Sequence, residues 1–272
     1  MNARGLGDTG GPQQWYESLP IVTKHWLSAA LVTTVSCNFG IFPIMKIIFS
    51  YDAIASKFEI WRLFTPFLYV GRFEFRTAMT FFIMYQYSRN YEVGIGFNSG
   101  GGGGTADYMF MMLFGMILIL ITGALLGLGV VFATTLVYYV MYIWSKRNPT
   151  AQTNIWGIPM QAMYLPFALL GLNIVMGNPY IDMMHGYAIG HIYFFLVEVV
   201  PKVYGKVYLT TPLFLIQKFG VGEYISPAPR AGMAAIGNNA RGAPGRVNAP
   251  VDPAASTGSH SWGSGGQRLG RS

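Results

Sequence analysis

Two histidines and two threonines inside apolar runs are the residues of this chain best suited to chemistry. His185 and His191 lie in one run, and Thr134 and Thr135 lie in an earlier one. An imidazole that takes the proton of a neighbouring hydroxyl makes that hydroxyl a nucleophile, as in hydrolases. Ionisable groups are costly inside such runs, so they are candidates for function. The run at 126–144 contains no serine.

The remaining groups indicate neither a metal site nor a cofactor. Two histidines without further ligands do not complete a metal site. Cys37 is the single cysteine, which excludes an internal disulfide and a thiolate cluster within one chain. The glycine run at 100–104 lacks a following Lys-Ser/Thr pair and a preceding strand. It therefore predicts a linker and not a phosphate-binding loop.

The composition indicates a protein embedded in a lipid bilayer. Of the 272 residues, 52% are hydrophobic and only 11% are charged, whereas soluble domains contain about 25% charged residues. The net charge of +7 is spread among apolar runs without a clustered basic face, which argues against nucleic acid as a partner. The first 20 residues contain no apolar core, so no cleavable signal peptide is predicted.

Apolar runs predict an all-α polytopic membrane protein with six transmembrane helices. One crossing of a hydrocarbon core of about 30 Å takes roughly 20 residues. The uncharged stretch 108–144 is too long for one crossing, and the glycines at 123–129 predict a turn within it. The predicted spans are 21–40, 73–90, 108–124, 127–145, 158–177 and 181–200.

Loop charges predict the orientation of these spans. Lysines and arginines lie where the second, fourth and sixth spans end, whereas the turns near 123–129 and 177–181 contain none. The positive-inside rule then places both termini in the cytosol. The long first loop, 41–72, is mixed in charge and rich in aromatic residues. It predicts segments that lie along the membrane interface.

Low-complexity segments set the domain boundaries. The glycine-rich segment 96–107 predicts a flexible cytosolic loop. From about residue 226 onward the chain is rich in Pro, Gly, Ala, Ser and Asn and cannot bury enough apolar surface to fold alone. The predicted organisation is a disordered N-terminus at 1–12, a membrane domain at 13–220 and a disordered cytosolic tail at 221–272.

Five stretches carry a family resemblance through their order and spacing. They are QQWYESLPIVTKHW at 13–26, FEIWRLFTPFLYVG at 58–71, TADYMFMMLFG at 105–115, YYVMYIWSKRNP at 138–149 and GYAIGHIYFFLVEVVP at 186–201. Together they resemble the Derlin family, the rhomboid-like pseudoproteases of the endoplasmic reticulum. The resemblance extends from about residue 13 to about residue 220.

The resemblance implies a six-helix rhomboid-like fold in the membrane of the endoplasmic reticulum. The implied function is retrotranslocation of misfolded client proteins for degradation, together with a membrane-embedded ubiquitin ligase complex. The sequence is consistent with a monomer, with a homo-oligomer and with a hetero-oligomer. A lateral opening between the second and fifth helices is implied. The short second span and the proline-broken fifth span fit a locally thinned bilayer.

The resemblance also implies that catalysis has been lost. Rhomboid proteases carry a serine on the fourth helix and a histidine on the sixth, and the matching positions fall near Ala133 and at Met183. The chain is therefore expected not to be an enzyme. An intramembrane protease with a relocated dyad, such as Thr134 with His185, is an alternative, and so is a small-solute channel. His191 fits the family's Gly-His pattern, but its role is open.

Two short motifs have both a general and a family-specific interpretation. Trp61 and Arg62 suit a generic interface anchor, and they also match the Trp-Arg motif of the rhomboid-like first loop, which implies a role in the fold and in substrate engagement. Gly186 and Gly190 form a Gly-x-x-x-Gly pair, which lets another helix approach closely. In the implied fold this pair packs the sixth helix against the fourth.

The C-terminal tail ends in a short box that differs from the rest of its composition. On composition alone, this end of the chain is as consistent with a random Gly/Ser-rich sequence that contains one tryptophan as with a binding motif. The box resembles the segment by which Derlins bind the valosin-type AAA+ ATPase. An unfolded tether gives long reach, and the tryptophan and leucine would fill pockets of the partner. The box at 262–270 comprises Trp262, Gly263, Gly265, Gly266, Leu269 and Gly270.

Overall fold

Helices make up most of the residues that the structure describes. The computed structural model describes residues 11–94, 104–155 and 158–219. The strands are β1 (Gln152–Ile155) and β2 (Ile158–Gln161). The helices of the described ranges are α1 (Pro12–Glu17), α2 (Ile21–Asn38), α3 (Tyr51–Lys57), α4 (Phe75–Glu92), α5 (Gly104–Leu126), α6 (Ala133–Arg147), α7 (Leu165–Val175), α8 (Ile181–Phe194), α9 (Val200–Tyr204) and α10 (Leu213–Phe219).

Within the described ranges, two helices are long and apolar enough to cross a membrane. One is Gly104–Leu126, with a mean hydropathy of 2.6, and the other is Ile181–Tyr204, with a mean hydropathy of 1.3. The second is continuous from α8 through a π-helical turn at Phe195–Val199 into α9. A shorter apolar helix covers Ala162–Val175. These helices agree with the membrane location that the composition indicates.

The turn between α5 and α6 depends on two glycines. Gly127 and Gly129 have φ angles of +66° and +74°. Side chains disfavour this left-handed region, so glycine is the residue that allows the helix to end here. Helix α6 begins only at Ala133. The predicted fourth span, 127–145, therefore starts too early.

The predicted fifth span, 158–177, is wrong at its start because a hairpin precedes the helix. β2 pairs with β1 in antiparallel register, with Gln152 opposite Gln161 and Ile155 opposite Ile158. Helix α7 begins at Leu165 and carries Pro166 in its first turn, where the missing N–H costs nothing. The described fold is thus mostly helical with one two-stranded sheet, and not purely α.

Helix α6 lies at the centre of the core and is buried around most of its circumference. A helix that is apolar on all sides requires neighbours on all sides. Helix α8 packs against it through two glycines. A Cβ on Gly186 would lie 2.4 Å from the carbonyl oxygen of Thr135, and a Cβ on Gly190 would lie 2.9 Å from the ring of Tyr142. The structure thus places both glycines of the Gly-x-x-x-Gly pair on the face of α8 that meets α6.

Candidate functional site

A groove lies between α4 and α7. The α4 wall includes Met79 and Phe82, and the α7 wall includes Leu169 and Leu172. Met, Phe and Leu side chains give this part of the groove an apolar surface. The family resemblance implies a lateral opening between the second and fifth predicted spans, 73–90 and 158–177. Helices α4 and α7 are the helices that overlap these two spans.

The groove changes character along α4. Towards the C-terminal half of α4 the lining becomes more polar and includes Gln86 and Asn90. β1 forms the opposite wall with Gln152, Thr153 and Asn154. The Tyr87 and Thr153 hydroxyls lie 3.1 Å apart and tie the hairpin to α4. Phe82, Tyr87 and Asn154 line both sections, so the apolar section adjoins a polar section towards the end of α4.

A salt bridge lies where the apolar section begins. Arg76 lines the groove near the start of α4, and its Nη2 lies 3.9 Å from Asp182 Oδ2 at the start of α8. Both side chains are about one-third exposed. Exposed ion pairs contribute little to stability, about 0–1 kcal/mol. The pair therefore contributes little to stability, and its interest is that Arg76 places a charge in the lining of the groove.

The predicted Trp-Arg motif divides into a buried half and an exposed half. The Arg62 guanidinium donates to the Met45 carbonyl at 2.8 Å and to the Ile48 carbonyl at 2.7 Å, and it pairs with Glu59. Trp61 is half exposed. Its indole donates to a backbone carbonyl at 3.3 Å. The arginine thus fastens the first loop internally, and the tryptophan remains available to the surroundings.

A buried charge cluster lies at the opposite end of the bundle, around Arg147 at the end of α6. Its Nη1 is 3.5 Å from Asp107 Oδ2, and its Nη2 is 3.5 Å from Glu198 Oε1. The Arg147 and Asp107 side chains are 1% and 0% exposed. The guanidinium also lies over the rings of Tyr91 and Tyr193, 5.3 and 5.8 Å from the centroids. The cluster therefore joins α4, α5, α6 and α8.

A third buried carboxylate at this end caps a helix. Glu92, at the end of α4, accepts hydrogen bonds from the backbone amides of Val22 and Thr23 at 2.9 and 2.7 Å. These amides belong to the first turn of α2, where no intrahelical partner exists. The carboxylate also complements the positive end of the helix dipole. Glu92 thus fixes α2 to α4 at the end where Arg147 lies, which we call the charged end.

The two positions predicted to match the rhomboid serine and histidine, near Ala133 and at Met183, carry apolar side chains. Ala133 and Met183 are fully buried. A relocated dyad would bring His185 to Thr134, but His185 Nε2 instead lies 2.7 Å from the hydroxyl of Thr122 on α5. That hydroxyl also lies 2.7 Å from the carbonyl of Leu118, to which it can donate its only proton. In that arrangement the imidazole is the donor, which is the opposite of a base activating a nucleophile.

The remaining predicted residues have simpler surroundings. His191 Nδ1 lies 2.9 Å from the Tyr142 hydroxyl, so this histidine bridges α8 and α6. In the described ranges, no group of three or more His, Cys, Asp or Glu side chains is placed to hold a metal ion. The predicted ATPase box at 262–270 lies outside the described residues.

Sequence reasoning missed the charge cluster and the groove wall formed by the hairpin. In the sequence, Lys146 and Arg147 are two of the basic residues at the end of the predicted fourth span, and Glu198 lies four residues before Lys202. The Glu198–Lys202 pair is present at 3.3 Å, but Glu198 also meets Arg147. The available signal was that Asp107, Arg147 and Glu198 each flank an apolar run. Three charges at the same end of adjacent helices can meet in the interior.

Comparison with known proteins supplies a family. The sequence model of the Der1-like family matches residues 19–213. The chain is similar to Derlin-1 of Oryza sativa subsp. japonica, with 31% identity covering 84% of this chain and 95% of the relative. It is similar to Derlin-1.2 of Zea mays at 32% identity, covering 85% and 95%. It is also similar to Derlin-2.2 of Zea mays at 33% identity, covering 82% and 92%.

Proposed function

Because this chain belongs to the Der1-like family, we propose that it is a non-catalytic, rhomboid-like component of the degradation pathway of the endoplasmic reticulum. It helps to move misfolded lumenal or membrane proteins to the cytosol, next to a membrane-embedded ubiquitin ligase complex. The observation that carries this proposal is the groove between α4 and α7, which is apolar along one section and polar along the next. Such a groove offers a polypeptide a lateral path.

In this proposal, six helices cross the membrane of the endoplasmic reticulum, and both termini lie in the cytosol. The crossings are α2, α4, α5, α6, α7 and α8 with its extension into α9. The charged end is then the cytosolic end, in keeping with the lysines and arginines that lie near it. The first loop, with Trp61 and Arg62, is the lumenal end.

The short fifth crossing supports local thinning of the bilayer. Ala162–Val175 extends roughly 21 Å at 1.5 Å per residue, whereas the hydrocarbon core is about 30 Å thick. A bilayer adapts to a short apolar helix by thinning beside it. Unpaired backbone groups in hydrocarbon cost several kcal/mol each. A thinner bilayer next to the groove therefore lowers the barrier for a polar client.

Obstructing the groove is expected to slow client degradation. Leu169→Trp places a larger side chain in the apolar section, so a client segment no longer fits between α4 and α7. Ile117→Trp on α5 is the matched control, because Ile117 is 59% exposed and lies outside the groove. The measurement is the half-life of a misfolded client in cells that carry each variant as their only copy. Equal half-lives for both variants and the wild type would count against the proposal.

Recruitment of a motor completes the proposal. Without catalysis, transport through the groove needs an external source of work. We propose that the box at 262–270 recruits a valosin-type AAA+ ATPase, with Trp262 and Leu269 as the two anchors. A long tail lets the motor bind without disturbing the membrane domain.

The tail claim predicts a specific loss of binding. The double variant Trp262→Ala with Leu269→Ala removes both apolar anchors, and such anchors dominate the affinity of small interfaces. Pull-down of the ATPase by the full-length chain is expected to fall to background. Ser261→Ala and Ser264→Ala together serve as the control, because they alter the same segment without its anchors. Undiminished binding by the Trp262 and Leu269 variant contradicts the role of the box.

A further inference from the structure

Strand β1 borders the groove and has one open edge in the described sheet. Gln152, Thr153 and Asn154 line its polar section, and Asn154 also lines the apolar section. No residue of β2 lines either section. Of the two strands, only β1 therefore contributes to the groove, and its edge away from β2 has no neighbour in the described sheet.

The strand register tells which backbone groups point to this side. In an antiparallel pair, hydrogen-bonded and non-hydrogen-bonded residue pairs alternate. Pro159 has no N–H and stands opposite Asn154, so this pair is a non-hydrogen-bonded one. Gln152 and Gln161, two positions along, form the next such pair. The bond from the Ala162 amide to the Ala151 carbonyl, at 2.9 Å, fits the same alternation.

Gln152 and Asn154 therefore turn their N–H and C=O groups away from β2. Neither residue's backbone makes a hydrogen bond to another described element. A strand edge with such a row of free donors and acceptors is a template for another strand. The outer edge of β2 is a poorer template because Pro159 lacks the donor at its centre.

We propose that an extended segment of the client polypeptide adds to β1 as a third strand while it occupies the groove. This inference rests on the proposed function and names the conformation in which the client is bound. Main-chain pairing does not depend on sequence, which suits clients that share a misfolded state and not a motif. It also gives the client backbone partners at the point where it leaves the apolar section, so fewer of its polar groups are left unsatisfied.

A proline at the outward-facing amide tests the pairing. Asn154→Pro removes one donor to the client but none of the β1–β2 hydrogen bonds, whereas Asn154→Ala keeps the donor and removes the side chain. Loss of one backbone hydrogen bond is expected to weaken client capture about 2- to 12-fold. The alanine variant is expected to capture client like the wild type. The readout is the yield of crosslinked client from full-length protein in membranes. Equal yields from the proline and alanine variants would overturn the inference.

A cysteine scan tests the conformation without relying on a proline variant. Gln152→Cys is introduced with Cys37→Ser, so that the chain carries one cysteine. The probe is a destabilised secretory protein with single cysteines at consecutive positions of one segment. A paired strand is expected to give disulfides at every second client position, because side chains alternate between faces. Spacing of three to four positions, no periodicity, or disulfides only to a second copy of this chain would overturn the inference.

The outcomes separate this inference from the proposed function. If Leu169→Trp reduces client capture but Asn154→Pro does not, clients use the groove without strand pairing, and only the inference is wrong. If the wild-type chain captures no client at any position, the proposed function is wrong, and the inference is overturned with it.

Discussion

Replacing Arg147 with alanine is expected to lower the free energy of unfolding by about 3–5 kcal/mol. Asp107 is fully buried 3.5 Å from the guanidinium, and Glu198 is largely buried at the same distance on another helix. Removing the arginine leaves the buried Asp107 without its guanidinium partner and leaves Glu198 only the largely exposed Lys202, and a poorly compensated buried charge is strongly destabilising. The measurement is denaturant unfolding of the purified protein in detergent micelles, compared with the wild type.

The adjacent lysine is the matched control for Arg147. Lys146 lies 5.4 Å from the ring centroid of Tyr142 and 5.9 Å from that of Phe167. Cation–π contacts of this kind contribute about 0.5–1 kcal/mol at exposed sites. Lys146→Ala is thus expected to cost far less than Arg147→Ala. Similar losses for the two variants would show that the Arg147 cluster is not what holds the charged end together.

Gly186→Ala is expected to destabilise the protein by about 1–3 kcal/mol or more. The added Cβ would lie 2.4 Å from the carbonyl oxygen of Thr135. That oxygen belongs to the backbone of α6, so it cannot move aside without displacing the central helix. Gly190→Ala is expected to cost less, because its nearest neighbour is the side-chain ring of Tyr142 at 2.9 Å. The measurement is the same unfolding experiment in micelles.

Gly171 in α7 provides the opposite case. A Cβ there meets nothing within 4 Å, and alanine is a better helix former than glycine by about 1 kcal/mol. Gly171→Ala is therefore expected to be neutral or stabilising. If Gly186→Ala were as well tolerated as Gly171→Ala, α8 and α6 would not be in the close contact that the structure describes.

The apolar runs predicted the helices better than the connections between them. The uncharged stretch at 108–144 indicated two helices with a glycine turn, and α5 and α6 meet at such a turn. The hairpin was missed because its strands are four residues long and β2 reads Ile-Pro-Met-Gln, which is apolar enough to be counted with the helix that follows. A period-2 pattern is not distinguishable over so few positions.

The candidate site was less accessible from the sequence because its parts are far apart in the chain. The groove forms between α4 and α7, and β1 closes one side of it. Hydropathy gives the helices but not which two of them stand apart, and only the family resemblance indicated that pair. The direction of Arg147 depends on Asp107 and Glu198, which lie on other helices. No local pattern around residue 147 contains that information.

The central claim is that client polypeptides occupy the groove between α4 and α7. The most direct measurement is site-specific photo-crosslinking in membranes that are degrading a misfolded client. A photoreactive residue replaces Met79 on α4 or Leu169 on α7, and Ile117 on the exposed face of α5 is the control. The account predicts client adducts from Met79 and Leu169 and only background from Ile117. Adducts of equal yield from all three positions, or none from the two groove positions, would contradict it.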